Sequence, residues 1–258
     1  MPRALLPLGL IWLLLSGCGA SRSPEELRQQ ELHYLSVVVP EELLEYSHLE
    51  IGAADAVKIH DGSPPALQLT LAPEQARVNR GNRAELSVDF PCTAGETVRY
   101  AWQFMLPEDF ALDAPRNRWW LIGQWHDQPN RTLGETWDGH SARSPTVAIS
   151  IGENQAKETC LAFNYGTDKI KDVGPVPIKR GVWHNIAVVI TWSQDDAGRG
   201  AVYLDDRETP VLEASGPNMH NDFQHYLKLG MYRHPEIRTR NSIFIRKITI
   251  EQTTPPGK

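Results

Sequence analysis

The chain runs to 258 residues, 41% hydrophobic and 22% charged, which supports a buried core and excludes an intrinsically disordered polyelectrolyte. Its 32 acidic residues outnumber 26 basic ones, for a formal net charge of -6. That balance excludes non-specific binding to nucleic acid, and no nucleic-acid partner is expected. The length allows one large β domain or two small ones, and no internal linker forces a split.

Residues 1–17 read as a removable leader. Arg3 precedes an apolar run over residues 4–15, too short for a comfortable membrane span, and small residues follow. Leu15-Ser16-Gly17-Cys18 resembles the bacterial lipoprotein signal, which implies lipidation of Cys18 and a membrane anchor. Gly19, rather than an Asp, follows the cysteine, which by the same resemblance implies an exported lipoprotein of the cell envelope bound for the outer membrane. A plain secretory signal with an incidental cysteine is the alternative.

Residues 18–48 are polar and read as a tether. Ser23-Pro24-Glu25-Glu26 combines an N-cap, a proline at the first helical position and an acid three residues after the cap, which predicts a helix start. A second short helix is expected near residues 40–46, and the folded domain is expected over residues 49–258.

From there the pattern turns to β. Strands are expected at residues 67–71, 84–90, 98–105, 119–126, 146–152, 159–165, 183–192, 200–204, 226–232 and 243–250. Turn-rich stretches separate them, 109–118, 166–177 and 195–198 among them. Residues 98–104 alternate cleanly, with Tyr100, Trp102 and Phe104 on one face. Many strands and little helix predict an all-β fold, a jelly-roll sandwich of two antiparallel sheets with a concave groove for an extended glycan.

Three strands carry polar groups on a single face, because successive side chains point to opposite sides. Arg83 and Glu85 oppose Ala84, Leu86 and Val88; Gln124 shares a face with His126; Tyr226, Lys228 and Tyr232 oppose Leu227, Leu229 and Met231. If the three strands share a sheet, these groups converge on one surface suited to an acidic polysaccharide. The polar loop at 127–145 follows His126 directly and is expected at the groove rim, with Trp137 as a sugar-stacking or loop-anchoring residue. Over residues 228–247, Lys228, Arg233, Arg238, Arg240, Arg246 and Lys247 face a single acid, Glu236, which predicts a basic wall or a solvated basic edge. Cys92 and Cys160 either pair in an oxidising compartment or stay as two buried thiols. Neither has a metal-site partner nearby in sequence.

These blocks resemble the jelly-roll polysaccharide lyases, a group including heparin lyase I, glucuronan lyase and the alginate lyases. Arg83-Ala84-Glu85-Leu86 resembles their R-x-E-L block, Gln124-Trp125-His126 their Q-x-H, and Tyr226-Leu227-Lys228-Leu229-Gly230-Met231-Tyr232 the Y-F-K-A-G-x-Y block of alginate lyases. Gly181-Val182-Trp183-His184, with Thr191-Trp192-Ser193 and Tyr203-Leu204-Asp205-Asp206, looks most like the heparin lyase I and glucuronan lyase side. The resemblance covers roughly residues 80–250.

It implies β-elimination at a uronic acid. Abstraction of the C5 proton builds negative charge onto an already anionic carboxylate, so cations and hydrogen-bond donors at that carboxylate lower the barrier. By motif position Arg83 and Gln124 take this role, His126 and Tyr232 serve as base and acid, and Glu85 orients Arg83. Lys228, Tyr226, Arg233 and Trp137 are expected to bind substrate. Where the C5 hydrogen and O4 lie on one face, as in glucuronate, one tyrosine can take both proton-transfer roles. Where they lie on opposite faces, His126 takes the proton and Tyr232 protonates the leaving group. Tyrosine, with a pKa of about 10, is a poor base at neutral pH unless a nearby cation favours the phenolate. Lys228 lies four residues from Tyr232, about 13 Å along a strand, so Arg83 or another cation must do that local work.

Departures from the alginate block (Leu227 and Leu229 for its Phe and Ala, Ser87 for a second Arg) favour a glucuronate-type polymer over alginate. No cofactor is expected; some relatives bind calcium, but no acidic loop here announces a site. A non-catalytic glycan-binding lipoprotein of the same fold is the rival reading. A retaining glycosidase needs two carboxylates about 5–5.5 Å apart, and no candidate strand carries an E-x-D-x-x-E arrangement.

Overall fold

The structure, a computed structural model, describes residues 23–79, 81–141 and 143–253; the leader and Cys18 lie outside them. In chain order the strands are β1 (Ser47–Ile51), β2 (Val57–His60), β3 (Ala66–Leu71), β4 (Asn82–Val88), β5 (Thr97–Met105), β6 (Trp120–His126), β7 (Val147–Glu153) and β8 (Thr159–Tyr165), then β9 (Lys171–Pro177), β10 (His184–Thr191), β11 (Arg199–Leu204), β12 (Leu212–Ser215), β13 (Tyr226–Arg233) and β14 (Asn241–Thr253). They form two seven-stranded antiparallel sheets, ordered β1-β4-β13-β6-β7-β8-β9 and β12-β11-β10-β5-β14-β3-β2. The fold is a jelly-roll sandwich.

Alternation builds the core between them. On β5, Val98, Tyr100, Trp102 and Phe104 are buried while Arg99, Ala101, Gln103 and Met105 are only partly so. Trp125 reaches across from β6 to meet Tyr100 edge-on at 5.2 Å and Trp102 at 6.3 Å. Each such aromatic contributes about 1.5–3 kcal/mol through burial, so this cluster fixes the register of one sheet over the other.

All ten expected strands form, and four more appear: β1, β2, β9 and β12. These four are the outermost strands of the two sheets. An edge strand pairs on one side only and is kept short, polar or interrupted, so it lacks the apolar alternation that identifies an inner strand. β9 shows this best: none of its positions is buried, Gly174 and Pro175 interrupt it, and its sequence reads as a turn.

The segment assigned to a tether docks on the sandwich. Helix α1 (Pro24–Leu35) starts with the predicted capping box: Ser23 Oγ accepts from the Glu26 amide at 3.2 Å, and the Glu26 carboxylate accepts from the Ser23 amide at 2.7 Å. Leu35, Val38, Val39 and Leu43 are buried in the common core. Arg28 donates to the carbonyls of Leu44 and Ser47, and Glu31 accepts from the Leu49 amide at 2.6 Å. These bonds deliver β1 to the edge of β4, so the sandwich begins at Ser47, two residues before the expected boundary. Cys92 and Cys160 are buried free thiols.

Candidate active site

The outward face of the first sheet gathers most of the expected residues. Register places Lys228 opposite Ser87 on β4 and opposite Gln124 on β6, Gly230 opposite Glu85, and Tyr232 opposite Arg83; Tyr226 faces His126. Farther along the same face β7 and β8 carry small side chains, Ala148, Ser150, Gly152 and Ala162. Part of this stretch lines a hollow of about 270 Å³ together with Asn117 and Asp172.

Two glycines shape the polar half. Gly230 has φ +141°, and a Cβ there would lie 2.3 Å from the Ala84 carbonyl oxygen and 2.8 Å from Glu85 Cα. Only glycine lets β13 approach β4 this closely. The β13–β6 register shifts between Leu229 and Tyr232, across the same glycine. At Gly81, a Cβ would sit 2.6 Å from the Tyr232 ring and 2.9 Å from Arg83 Nη2. Its missing side chain therefore leaves room for both.

At the centre lies a buried ion cluster whose hub is Glu50 of β1, a residue absent from the sequence-based site. Glu50 accepts from Arg83 Nη1 at 3.0 Å and from Asn79 Nδ2 at 3.1 Å, and its other oxygen meets Lys228 Nζ at 2.6 Å and His48 Nε2 at 3.7 Å. Arg83 Nη1 also lies 3.4 Å from Glu85, whose other oxygen accepts from Gln124 Nε2 at 2.6 Å. Burial opposes the charge on Glu50, but His48, Lys228 and Arg83 together hold its carboxyl well below the usual range. Burial pushes the Glu85 carboxyl up, against the pull of Arg83 and Lys228. Of the two acids, Glu50 is the firmly ionised one. Alternation in Ser47-His48-Leu49-Glu50-Ile51 is the available signal, but the expected boundary between tether and domain at residue 49 cuts through this short strand.

The expected acid and base are not neighbours. Tyr232 stacks on the Arg83 guanidinium, 4.3 Å from ring centroid to Cζ, and packs at 4.7 Å against the half-exposed Trp119. His126 sits at the other end of β13, opposite Tyr226. Six residues separate Tyr226 from Tyr232, about 20 Å along the strand, too far to serve one sugar. Both His126 ring nitrogens also face oxygens: Nδ1 lies 3.0 Å from the Asp127 carbonyl and 3.0 Å from its carboxylate, and Nε2 lies 2.9 Å from the Arg143 carbonyl. A neutral ring donates from one nitrogen only, so His126 has no lone pair directed into the groove. Burial raises the Tyr226 phenol strongly, which keeps it protonated.

The 127–145 loop closes over this end through Asp127, a fully buried carboxylate reached by His140 Nε2 at 3.0 Å and Arg143 Nη1 at 3.3 Å. Trp137, 56% exposed, stands edge-on to His140 at 5.3 Å and to Tyr226 at 6.3 Å, so it is held by its own loop and still open to the groove rim.

Two expectations fail. Arg233 falls on the odd-numbered, inward face of β13, where its guanidinium packs over Trp120 at 5.1 Å, burial pulls its pKa down to about 10, and it is 1% exposed. It cannot touch substrate in the groove. The basic wall over 228–247 also disperses: Arg246 lies on the other sheet over Trp183 at 3.8 Å, and exposed Arg240 lies near Asp55 and Glu74. Of that stretch only Lys228 enters the cluster.

The comparisons with known proteins agree with this architecture. No curated protein matches the sequence. By structure the chain is similar to an endo-β-1,4-glucuronan lyase from the fungus Trichoderma reesei, with TM-score 0.58 and 18% identity over 76% of this chain and 87% of that one. It is similar to a family 7 alginate lyase in complex with substrate, with TM-score 0.58 and 11% identity over 84% and 96%. It is also similar to the catalytic domain of a glycoside hydrolase family 131 protein from Coprinopsis cinerea, with TM-score 0.55 and 12% identity over 80% and 83%. Likeness at such identities shows the fold, which both chemistries share. The sequence itself is more specific: residues 53–249 match the family model described as polysaccharide lyase, and the chain belongs to that family.

Proposed function

We propose that this polysaccharide lyase cleaves a uronic-acid polymer of glucuronate type by syn β-elimination, with Tyr232 as the single proton-transfer residue. Tyr232, acting as the phenolate beside the Arg83 guanidinium, takes the C5 proton; the C4–O4 bond breaks as the C4=C5 double bond forms, and the same proton passes to the departing O4, regenerating the phenolate. Arg83 stabilises the carboxylate as negative charge develops on it. The observation that carries this reading is the stacking of Arg83 on Tyr232 at 4.3 Å, with His126 a strand length away and turned to backbone oxygens. Arg83 and Lys228, both held by the Glu50 carboxylate, are the cations of the floor that a uronate would meet. Gln124, 1% exposed and donating to Glu85, supports the cluster. Tyr226, Lys228 and Trp137 line the path of neighbouring sugars. We further propose that the chain is an exported lipoprotein held at the outer membrane through Cys18, on the strength of Leu15-Ser16-Gly17-Cys18.

Incubation with polyglucuronate, alginate and heparin-type polymers, followed by the ultraviolet absorbance of the conjugated product, tests the assignment. Polyglucuronate is expected to give the fastest rise. Tyr232→Phe should lose on the order of a hundredfold or more in rate, and His126→Ala less than about tenfold. Equal losses in both variants would restore the two-residue anti mechanism and sink the single-tyrosine one. A Cys18→Ser protein that still incorporates labelled palmitate in a bacterial host would refute the anchor.

A further inference from the structure

The residue at the centre of the cluster lies outside the family match, which begins at residue 53. Glu50 reaches the site on β1, which pairs with the edge of β4 and is held there from α1 through Glu31 and Arg28. We infer that Glu50 is a positioning residue of the lyase, a carboxylate supplied by the segment upstream of the family domain that aims Arg83 at the reacting sugar and limits the positive charge of the groove floor.

Geometry carries the inference. One side chain, 3% exposed as a residue, bridges the two site cations, Arg83 at 3.0 Å and Lys228 at 2.6 Å. Those cations come from different strands, so neither can hold the other in place. Without an anion between them they would repel each other and turn away from the floor. Asn79 fixes the oxygen facing Arg83, and His48 approaches the one facing Lys228. Glu85 does not make this bridge: one of its oxygens lies 3.4 Å from Arg83, while the other accepts from Gln124 rather than from Lys228.

A scaffold residue and a positioning residue predict different kinetics. Glu50→Gln preserves shape and removes the charge. Losing an anion makes the floor more attractive to a polyanion, while the freed guanidinium no longer sits in line with Tyr232. The expected result in folded Glu50→Gln is a kcat on the order of ten- to a hundredfold lower, a KM several-fold lower with steeper salt dependence, and partial rescue of kcat in Glu50→Asp. Wild-type kcat and KM in folded Glu50→Gln would overturn the inference, as would a fall in kcat with KM and its salt dependence unchanged. If Glu50→Gln does not fold, the charge-balanced pair Glu50→Gln/Lys228→Met is compared with Lys228→Met alone: a further loss of kcat through Arg83 supports the role, and equal kcat refutes it. The inference rests on the proposed role of Arg83, so one arm is free of turnover. A crystal structure of Glu50→Gln, or of the charge-balanced pair, should show the Arg83 guanidinium shifted off the Tyr232 ring. A wild-type Arg83 position there would refute the inference even if no uronate polymer proved to be a substrate.

Discussion

Gly81 shows how little side-chain mass separates a working site from a blocked one. Its backbone does not require glycine, yet any Cβ collides with Tyr232 and Arg83, the two groups assigned to the chemistry. Both contacts are to the far ends of side chains, which move more cheaply than backbone. Gly81→Ala should therefore leave the thermal midpoint nearly unchanged and lower kcat about tenfold or more, because a misplacement near 1 Å is costly in a positioned site. Wild-type turnover in Gly81→Ala would mean that the Arg83–Tyr232 stack is not the reactive arrangement. Nothing in the local pattern marks this residue: Asn79-Arg80-Gly81-Asn82 reads as an ordinary turn. Arg83, Glu85, Gln124 and Lys228 were legible from alternation alone, since period two assigns them to one face. Arg233 was misplaced because charge was counted without that period. Glu50 was missed because an edge strand offers only five residues of pattern.

At the scale of elements, β13 is the strand that organises the site, and its entry is guarded by a buried histidine. His225 donates from Nδ1 to the Phe223 carbonyl at 3.0 Å, accepts the His220 amide at Nε2 at 3.4 Å, and stacks at 5.3 Å on Trp192. Burial first, countered by the Phe223 carbonyl and Asp127, pulls its pKa from 6.5 down to about 4. The unfolded chain binds a proton below about pH 6.5, while the folded chain resists until near 4. This residue therefore has no effect on stability above 6.5, and it makes the fold progressively less stable as pH falls from 6.5 to 4. At 1.36 kcal/mol per unit the loss reaches about 3 kcal/mol. Thermal unfolding between pH 7 and 4 should show a midpoint falling through this window, and a flatter profile in His225→Gln, whose overall midpoint is lower from lost packing. An equally steep fall in the variant would assign the acid sensitivity to other groups. Most elements were legible before the fold was known. The inner strands announce themselves because both neighbours and a packed face constrain them. β2, β9 and β12 pair on one side only, so their sequences stay free to look like turns, while β1 hid inside a segment whose polar surface concealed Leu35, Val38, Val39 and Leu43.

At the scale of the molecule, the sandwich separates two tasks. Its inner faces hold the aromatic core around Tyr100, Trp102 and Trp125; one outer face holds the charged floor, flanked by exposed Trp119 at the Tyr232 end and Trp137 at the Tyr226 end. Between those tryptophans, β13 spans the length of several sugar units, and the small residues of β7 and β8 extend the open face sideways. The same architecture also serves a glycoside hydrolase, so the shape alone does not decide the reaction; the residues in the groove do. The most direct measurement is digestion of polyglucuronate in heavy-oxygen water followed by mass spectrometry of the oligosaccharides. Elimination at the Tyr232–Arg83 pair predicts products with a double bond at their non-reducing ends and no heavy oxygen introduced by cleavage. Saturated products carrying one heavy oxygen for each bond cut would mean that water, not tyrosine-driven elimination, opens the chain.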